Sequence, residues 1–259
     1  MPGRRNPKPK GKALLSEQME YLRIYPTLDS TNKEAQRLLA QGSVKHGLTL
    51  FTRYQTAGRG QMGRTWFAEP DLHLAMSLIY LPQHLHLSQL PTIGMKTSLA
   101  IVLALEKLNP ELHPLIKWPN DIYVNGHKLC GILIENALSG NKVQHCIIGI
   151  GMNIKETRFP PEIPNATSLA LLTDQSYEPV EVAKLLREEI LTCLDRAPLT
   201  WKTDYDSRIY GLHQLQSFAR GEIIFEATIR GISMDGHILL ESADGTIKGY
   251  ANHEVRWMG

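Results

Sequence analysis

The sequence predicts an α+β protein: a mixed or antiparallel sheet backed by a few helices over residues 21–210, then a small antiparallel β-barrel over 211–259. Three observations carry this. Apolar strands do not alternate regularly with helical segments, which argues against a doubly wound parallel sheet. Asn125-Gly126 sits between two β-prone segments, the signature of a hairpin with a type I′ turn. From about residue 212 the apolar period becomes two, punctuated by Asp235-Gly236 and Asp244-Gly245.

Taken in order, Thr31 and Glu34 have capping-box spacing, Ala35, Leu38 and Leu39 follow, and Gly42 closes the turn, predicting a helix over 31–41. LTLFTRY (48–54) is a strand leading into a glycine-rich loop, and LHLAMSLIYL (72–81) alternates as a strand does. A helix of about twenty residues runs from near Ser88 to Asn109, where Pro110 stops it. VQHCIIGIGMNI (143–154) is an apolar strand, buried at its centre. The Pro/Asn-rich FPPEIPNATS (159–168) leads to an amphipathic helix near 180–195, whose apolar positions are Val182, Leu185, Leu186, Ile190, Leu191 and Leu194.

With 42% hydrophobic and 21% charged residues the 259-residue chain is ordinary for a soluble globular protein. Its net charge of +2 hides an asymmetry: residues 1–12 hold five basic residues and no acid, and the remainder holds 23 basic and 26 acidic residues. This basic, Pro/Gly-rich start lacks apolar surface to bury and is expected to be a disordered tail over 1–20, contact with nucleic acid or an acidic partner being the alternative. No apolar segment of signal-peptide type follows it. The longest stretch free of Lys, Arg, Asp and Glu, Leu72–Met95, is broken by Pro82 and Pro91 and does not read as a membrane span. Cys130, Cys146 and Cys193 stand far apart without metal spacing, which predicts free buried thiols and a reducing, cytoplasmic setting.

Gly58-Arg59-Gly60-Gln61-Met62-Gly63 is literally a G-x-G-x-x-G string. A dinucleotide fingerprint needs a helix directly after it, but the bulky RTWFAEP, broken by Pro70, and a β-alternating run follow instead. No Lys-Ser/Thr pair marks a phosphate-binding P-loop. The arginines then matter more: Arg59 and Arg64 flank glycines that permit close approach, and guanidinium groups grip phosphate or carboxylate by paired hydrogen bonds. Such a loop is expected to be mobile alone and ordered by an anion; a solvated surface loop is the alternative. Lys117 ends the strand PLIKW beside the rigid Trp118-Pro119 turn, placed either to enter a site or to face solvent. Lys128 lies just past the hairpin turn. Gly149 and Gly151 interrupt an apolar strand, marking a bulge or a ligand lying against the backbone. Ser30 and Thr31 are helix-capping residue types.

Together, DSTN (29–32), QTAGRGQMGRTW (55–66), KWPND (117–121), KLCGILIE (128–135) and GIGMNI (149–154) resemble, in order and spacing, the biotin protein ligases (biotin–[acetyl-CoA-carboxylase] ligases). The resemblance covers about residues 22–170 and the C-terminal β domain, for which it implies an SH3-like barrel. With no helix-turn-helix unit ahead of residue 30, the chain is similar to the monofunctional ligases. The resemblance implies ATP-dependent joining of biotin and ATP into biotinyl-5′-AMP, then transfer to one lysine of a biotin carboxyl carrier protein. It implies biotin contacts from Ser30, Thr31, Gln55, Gly58, Gly149 and Gly151. Arg59 and Lys117 would bind the carboxylate and α-phosphate as the catalytic pair. The nucleotide would meet Gly60, Arg64, Asn153, Lys128 and Trp66, with core packing the rival role for Trp66. No Asp/Glu cluster suggests a protein-built metal cage, so Mg²⁺ is expected to arrive with ATP. Gln61-Met62 stand where some members carry basic residues, which predicts weaker retention of the adenylate. The alternatives are a lipoate or octanoate ligase and, in another class, a nucleic-acid-binding module; the near-neutral body argues against the latter, and no membrane contact is expected. A homodimer through a sheet edge stays open.

Overall fold

A computed structural model describes residues 20–42 and 44–258, so the expected tail lies outside the described residues except for Glu20. The larger sheet has seven strands: β1 (Leu22–Tyr25), β2 (Thr49–Thr52), β3 (His73–Tyr80), β4 (Leu115–Lys117), β5 (Asp121–Val124), β6 (His127–Ser139) and β7 (Lys142–Asn153). They run in the order β1-β2-β3-β7-β6-β5-β4, with β1 and β2 parallel and every other pair antiparallel. The sheet is therefore mixed, as expected. Asn125 (φ 50°) and Gly126 (φ 79°) both take the left-handed backbone that a type I′ turn requires.

The two faces of this sheet serve different purposes. Phe51, Met76, Leu78, Ile148 and Ile150 point to one side and join the main core with α2 (Leu90–Leu108) and α4 (Pro179–Leu194). Helix α2 is buried nearly all round. Its Lys96 is buried too, and its ammonium donates to the carbonyls of Leu194 (2.8 Å), the last residue of α4, and Arg196 (2.6 Å) just beyond it. On the other side Leu50, Ile79 and Ile147 pack under Ala35 of α1 (Thr31–Ala40). Helix α1 covers only part of that face, and the uncovered part carries the site.

The expected capping box is not formed. Ser30 is the N-cap with extended backbone, its side chain makes no cap hydrogen bond, and Thr31 is the first helical residue. The Thr31 hydroxyl is instead drawn into a buried polar cluster with Ser77 and Gln55. Two short helices follow, α3 (Leu169–Leu172) and, after α4, α5 (Pro198–Asp206), which packs against α2 and inserts Trp201 and Tyr205 into the core.

The C-terminal strands β8 (Leu215–Arg220), β9 (Ile223–Ile232), β10 (Ile238–Glu241), β11 (Ile247–Tyr250) and β12 (Arg256–Trp257) pair antiparallel in the order β11-β10-β9-β8-β12. A barrel was expected here, but no pairing among the described residues joins β11 to β12, so the sheet is open. Alternating apolar residues specify strands and their inner face; closure depends on edge pairing that the alternation does not encode. Phe218, Ile229, Ile238 and Leu240 run into the main core, and the Trp118 indole donates to the Gly236 carbonyl at 2.9 Å. All three cysteines are free and buried, and no described helix is long and apolar enough to cross a membrane.

Candidate active site

Three glycines on neighbouring strands lay a bare floor on the open face. Gly149 and Gly151 sit two apart on β7, and Gly131 on β6 pairs directly with Gly151. A methyl at Gly149 would lie 2.4 Å from Asn32 Oδ1, and one at Gly151 would lie 2.5 Å from Trp66 Cε2. At Gly131 it would lie 2.9 Å from Trp66 Cζ3. Glycine is required here because other side chains lie flat on the backbone, the close-approach reading of a strand glycine.

The floor belongs to a cavity of about 740 Å³ lined by Ser30, Thr31, Gln55, Arg59, Gly60, Arg64, Trp66, Lys117, Lys128, Gly149, Gly151 and Asn153 among others. Every residue singled out from the sequence is thus brought together except Gly58, which is not in the lining. Gly58 acts one layer back: its carbonyl accepts from the Trp66 N–H at 3.1 Å, and a methyl there would meet the Trp66 carbonyl oxygen at 2.9 Å.

The glycine loop is a folded flap. Thr56 and Ala57 donate backbone hydrogen bonds to Leu28 and Asp29 at its root. Farther out, the Gly60 N–H donates to the Arg64 carbonyl at 2.7 Å around a 3₁₀ turn at Gln61–Gly63, where Gly63 takes φ +73°. No helix follows, so the dinucleotide fingerprint is absent in structure as in sequence. The Gln61 side chain accepts from Asn252 Nδ2 at 3.2 Å, tying the flap to the C-terminal sheet.

One end of the cavity is a locked polar cluster. Gln55 Oε1 accepts from the Thr31 N–H (2.8 Å) and hydroxyl (3.2 Å). Ser77 Oγ donates to Thr31 Oγ1 (2.7 Å) and Asn32 Oδ1 (2.5 Å). Asn32 donates to Glu135, which in turn meets Arg59 of the flap. These bonds hold Thr31 and Asn32 in fixed orientations, while the Trp66 indole N–H, buried and without a hydrogen-bond partner among the described residues, adds a donor over the floor.

The cations take two positions. Lys117 is buried, donating to Tyr123 Oη at 3.4 Å, and its ammonium lies 4.5, 5.1 and 5.6 Å from the ring centres of Tyr123, Trp257 and Tyr210. Burial lowers its pKa; the Asp121 carboxylate opposes this and the Lys128 charge adds to it. Lys128 lies 2.7 Å from Asp121 Oδ1 and 5.7 Å from the Trp66 ring, beside the Gly131 floor. Arg64 is exposed at the mouth. Asn153 is turned toward the protein, its amide donating to the Thr167 carbonyl at 2.9 Å.

Several residues in or behind the lining were not picked out from the sequence. Gly131 carried the same signal as Gly149 and Gly151, a glycine inside an apolar strand. Asn32 and Glu135 lie within quoted segments but had no assigned part. Tyr210 and Trp257 reach Lys117 from 93 and 140 positions away, and nothing local announces them.

Comparison with known proteins gives a consistent picture. Residues 24–153 match the model of the Biotin/lipoate A/B protein ligase family. The chain is 32% identical over 238 residues to the biotin–[acetyl-CoA-carboxylase] ligase of Paracoccus denitrificans, covering 88% of this chain and 94% of the relative. It is 30% identical over 243 residues to the bifunctional ligase/repressor BirA of Bacillus subtilis, covering 90% of this chain and 73% of that one. Among solved structures, the biotin protein ligase from Aquifex aeolicus in complex with biotin and ATP superposes with a TM-score of 0.77 at 27% identity, covering 92% of this chain and 98% of the other.

Proposed function

This chain belongs to the biotin/lipoate A/B protein ligase family, and from that premise we propose that its cavity carries out ATP-dependent biotinylation of a carrier protein. It is a ligase that uses biotin and ATP. The biotin carboxylate attacks the α-phosphorus of ATP, giving biotinyl-5′-AMP and pyrophosphate. The amine of an acceptor lysine then attacks the acyl carbon; a C–N bond forms, the C–O bond to AMP breaks, and AMP leaves. Two substrates that repel each other must meet in the first step, so fixed positive charge and alignment matter more than a strong base.

One observation carries the reading: the glycine floor, the polar Thr31–Asn32–Gln55 cluster and the cations Arg59 and Arg64 of the flap, Lys117 of β4 and Lys128 of β6 line a single cavity under that flap. The backbone of Gly149 and Gly151 lines the biotin slot beside Asn32 and the Trp66 ring, with the ureido ring toward Ser30, Thr31 and Gln55 and Gly58 setting the flap beside it. Arg59 and Lys117 hold the carboxylate and the α-phosphate. Lys128 joins them, since it stands beside the floor and Trp66. Gly60, Arg64 and Asn153 serve the nucleotide and its phosphates. Trp66 packs on the floor, between the vitamin and the adenine side. Mg²⁺ accompanies the ATP phosphates; among the described residues no group of three His, Cys, Asp or Glu could hold a metal ion. Residues 21–210 form the catalytic part and 211–259 a smaller part that lends Trp257 and Asn252 to the site. The enzyme acts in the cytoplasm on the carrier domain of a biotin-dependent carboxylase, and the outer edge of β1 is available for a homodimer.

The test is incubation with biotin, MgATP and a carrier domain, followed by mass measurement. The acceptor gains one biotinyl group, and lipoate in place of biotin gives no product. Modification with lipoate alone would move the chain to the other branch of its family.

A further inference from the structure

We infer that Glu135, which closes the KLCGILIE segment on β6, is a positioning residue for Arg59; this rests on the biotin ligase reading above. Its two carboxylate oxygens meet partners from different parts of the molecule. Oε2 accepts from Asn32 Nδ2 at 2.7 Å, and Oε1 accepts from Arg59 Nη2 at 3.2 Å. The Asn32 side is rigid. That amide also donates to the Leu133 carbonyl at 3.3 Å, accepts from Ser77 Oγ at 2.5 Å, and lies against the Gly149 backbone. The Arg59 side is the flap. Glu135 therefore ties a mobile cation to a fixed point on the sheet.

A carboxylate facing a cationic group either competes with the anionic ligand or aims the cation at it. The contact decides for aiming. Both contacts to Glu135 use Nη2 alone, at 3.2 and 3.5 Å, so the N–H groups on Nε and Nη1 are not spent on it, and Arg59 lines the cavity. A guanidinium held by one corner presents its fork in one orientation, and a bidentate grip on a carboxylate depends on that orientation. The pair is partly exposed, with side chains 40% and 27% accessible, so its strength is that of an ordinary ion pair.

Glu135→Gln keeps an acceptor for Asn32 and removes the charge facing Arg59. In biotin-dependent ATP–pyrophosphate exchange, KM for biotin should rise about fivefold (~1 kcal/mol at 1.4 kcal/mol per decade). By contrast, kcat should change by less than about twofold, the mark of lost ground-state alignment. Trypsin should cut after Arg59 and Arg64 faster in the ligand-free variant, with the thermal midpoint unchanged. Wild-type KM and cleavage would overturn the assignment, and so would a lower KM, because the carboxylate would then be a competitor. If the variant does not fold, Glu135→Asp, which keeps the charge but withdraws it by one methylene, replaces it with the same expected directions. Wild-type enzyme with no exchange at all would refute the biotin reading, and the trypsin comparison would still judge the tether.

Discussion

Replacing Gly151 with alanine is expected to weaken biotin binding by about 5- to 150-fold while leaving the sheet folded. The added methyl would lie 2.5 Å from Trp66 Cε2 and 2.9 Å from both Cδ2 and Cζ2, where carbon atoms normally stand ~3.5–4.0 Å apart. The indole must retreat by about 1 Å, and it can do so only by lifting the end of the flap, since Trp66 is bonded to Gly58. Gly151 is not in the left-handed region, so no backbone strain is added. Overpacking of this kind costs about 1–3 kcal/mol, which is the stated range in affinity at 1.4 kcal/mol per decade. Calorimetric titration of biotin into wild type, Gly151→Ala, Trp66→Ala and the double variant tests the origin of the loss. Without the ring, the alanine penalty should shrink to under about 0.5 kcal/mol, a strong departure from additivity. Equal penalties in both backgrounds would refute the packing of Trp66 on the glycine floor as the reason for Gly151.

Lys117→Ala should lower biotin-dependent ATP–pyrophosphate exchange by at least about 100-fold, the usual loss when a charge-stabilising group is removed; normal exchange would defeat that assignment. Because burial lowers the Lys117 pKa below the ordinary 10.5, the charge is lost as pH rises through that lowered value. Adenylation should accordingly fall at a lower pH than an ordinary lysine would dictate, and an alkaline limb at 10.5 or above would contradict this. The buried Glu156 carboxyl is pushed up to about 7 by burial, from 4.5, so the native state binds the extra proton. Stability is then full below pH 4.5 and is lost as pH rises through about 7, by roughly 3 kcal/mol. Glu156→Gln should flatten that slope and raise the melting temperature at pH 8.5 by roughly 6–12 °C; an unchanged slope would disprove it.

Where local chemistry dictates structure, the sequence is a reliable guide. Asn125-Gly126 makes the hairpin because both residues tolerate left-handed backbone, and the apolar face of α4 follows its 3.6-residue period. β1 is another matter: LRIY is four residues long, with Arg23 and Ile24 both exposed, too short for a period to register. The Thr31–Glu34 spacing suggested a capping box because sequence spacing cannot see Ser77, whose hydroxyl reaches Thr31 from 46 positions away. The site is legible as far as its parts lie in contiguous segments. Arg59, Lys117, Lys128 and the paired glycines stand out only when the five motifs are read together, since residue type alone leaves a solvent-facing or bulge reading open for each. The aromatic wall around Lys117 does not, because Tyr210 comes from the connection after α5 and Trp257 from β12. Closure of that sheet was over-read, since alternation fixes faces and leaves edges undetermined.

At the centre of the proposed function stands a flap that would bring Arg59 and Arg64 over the substrates. Amide hydrogen exchange over residues 58–65 measures this directly. With biotin and a non-hydrolysable ATP analogue together, exchange in that segment should slow at least about tenfold relative to the free protein, as local opening is suppressed. Rates unchanged by the two ligands would contradict the account.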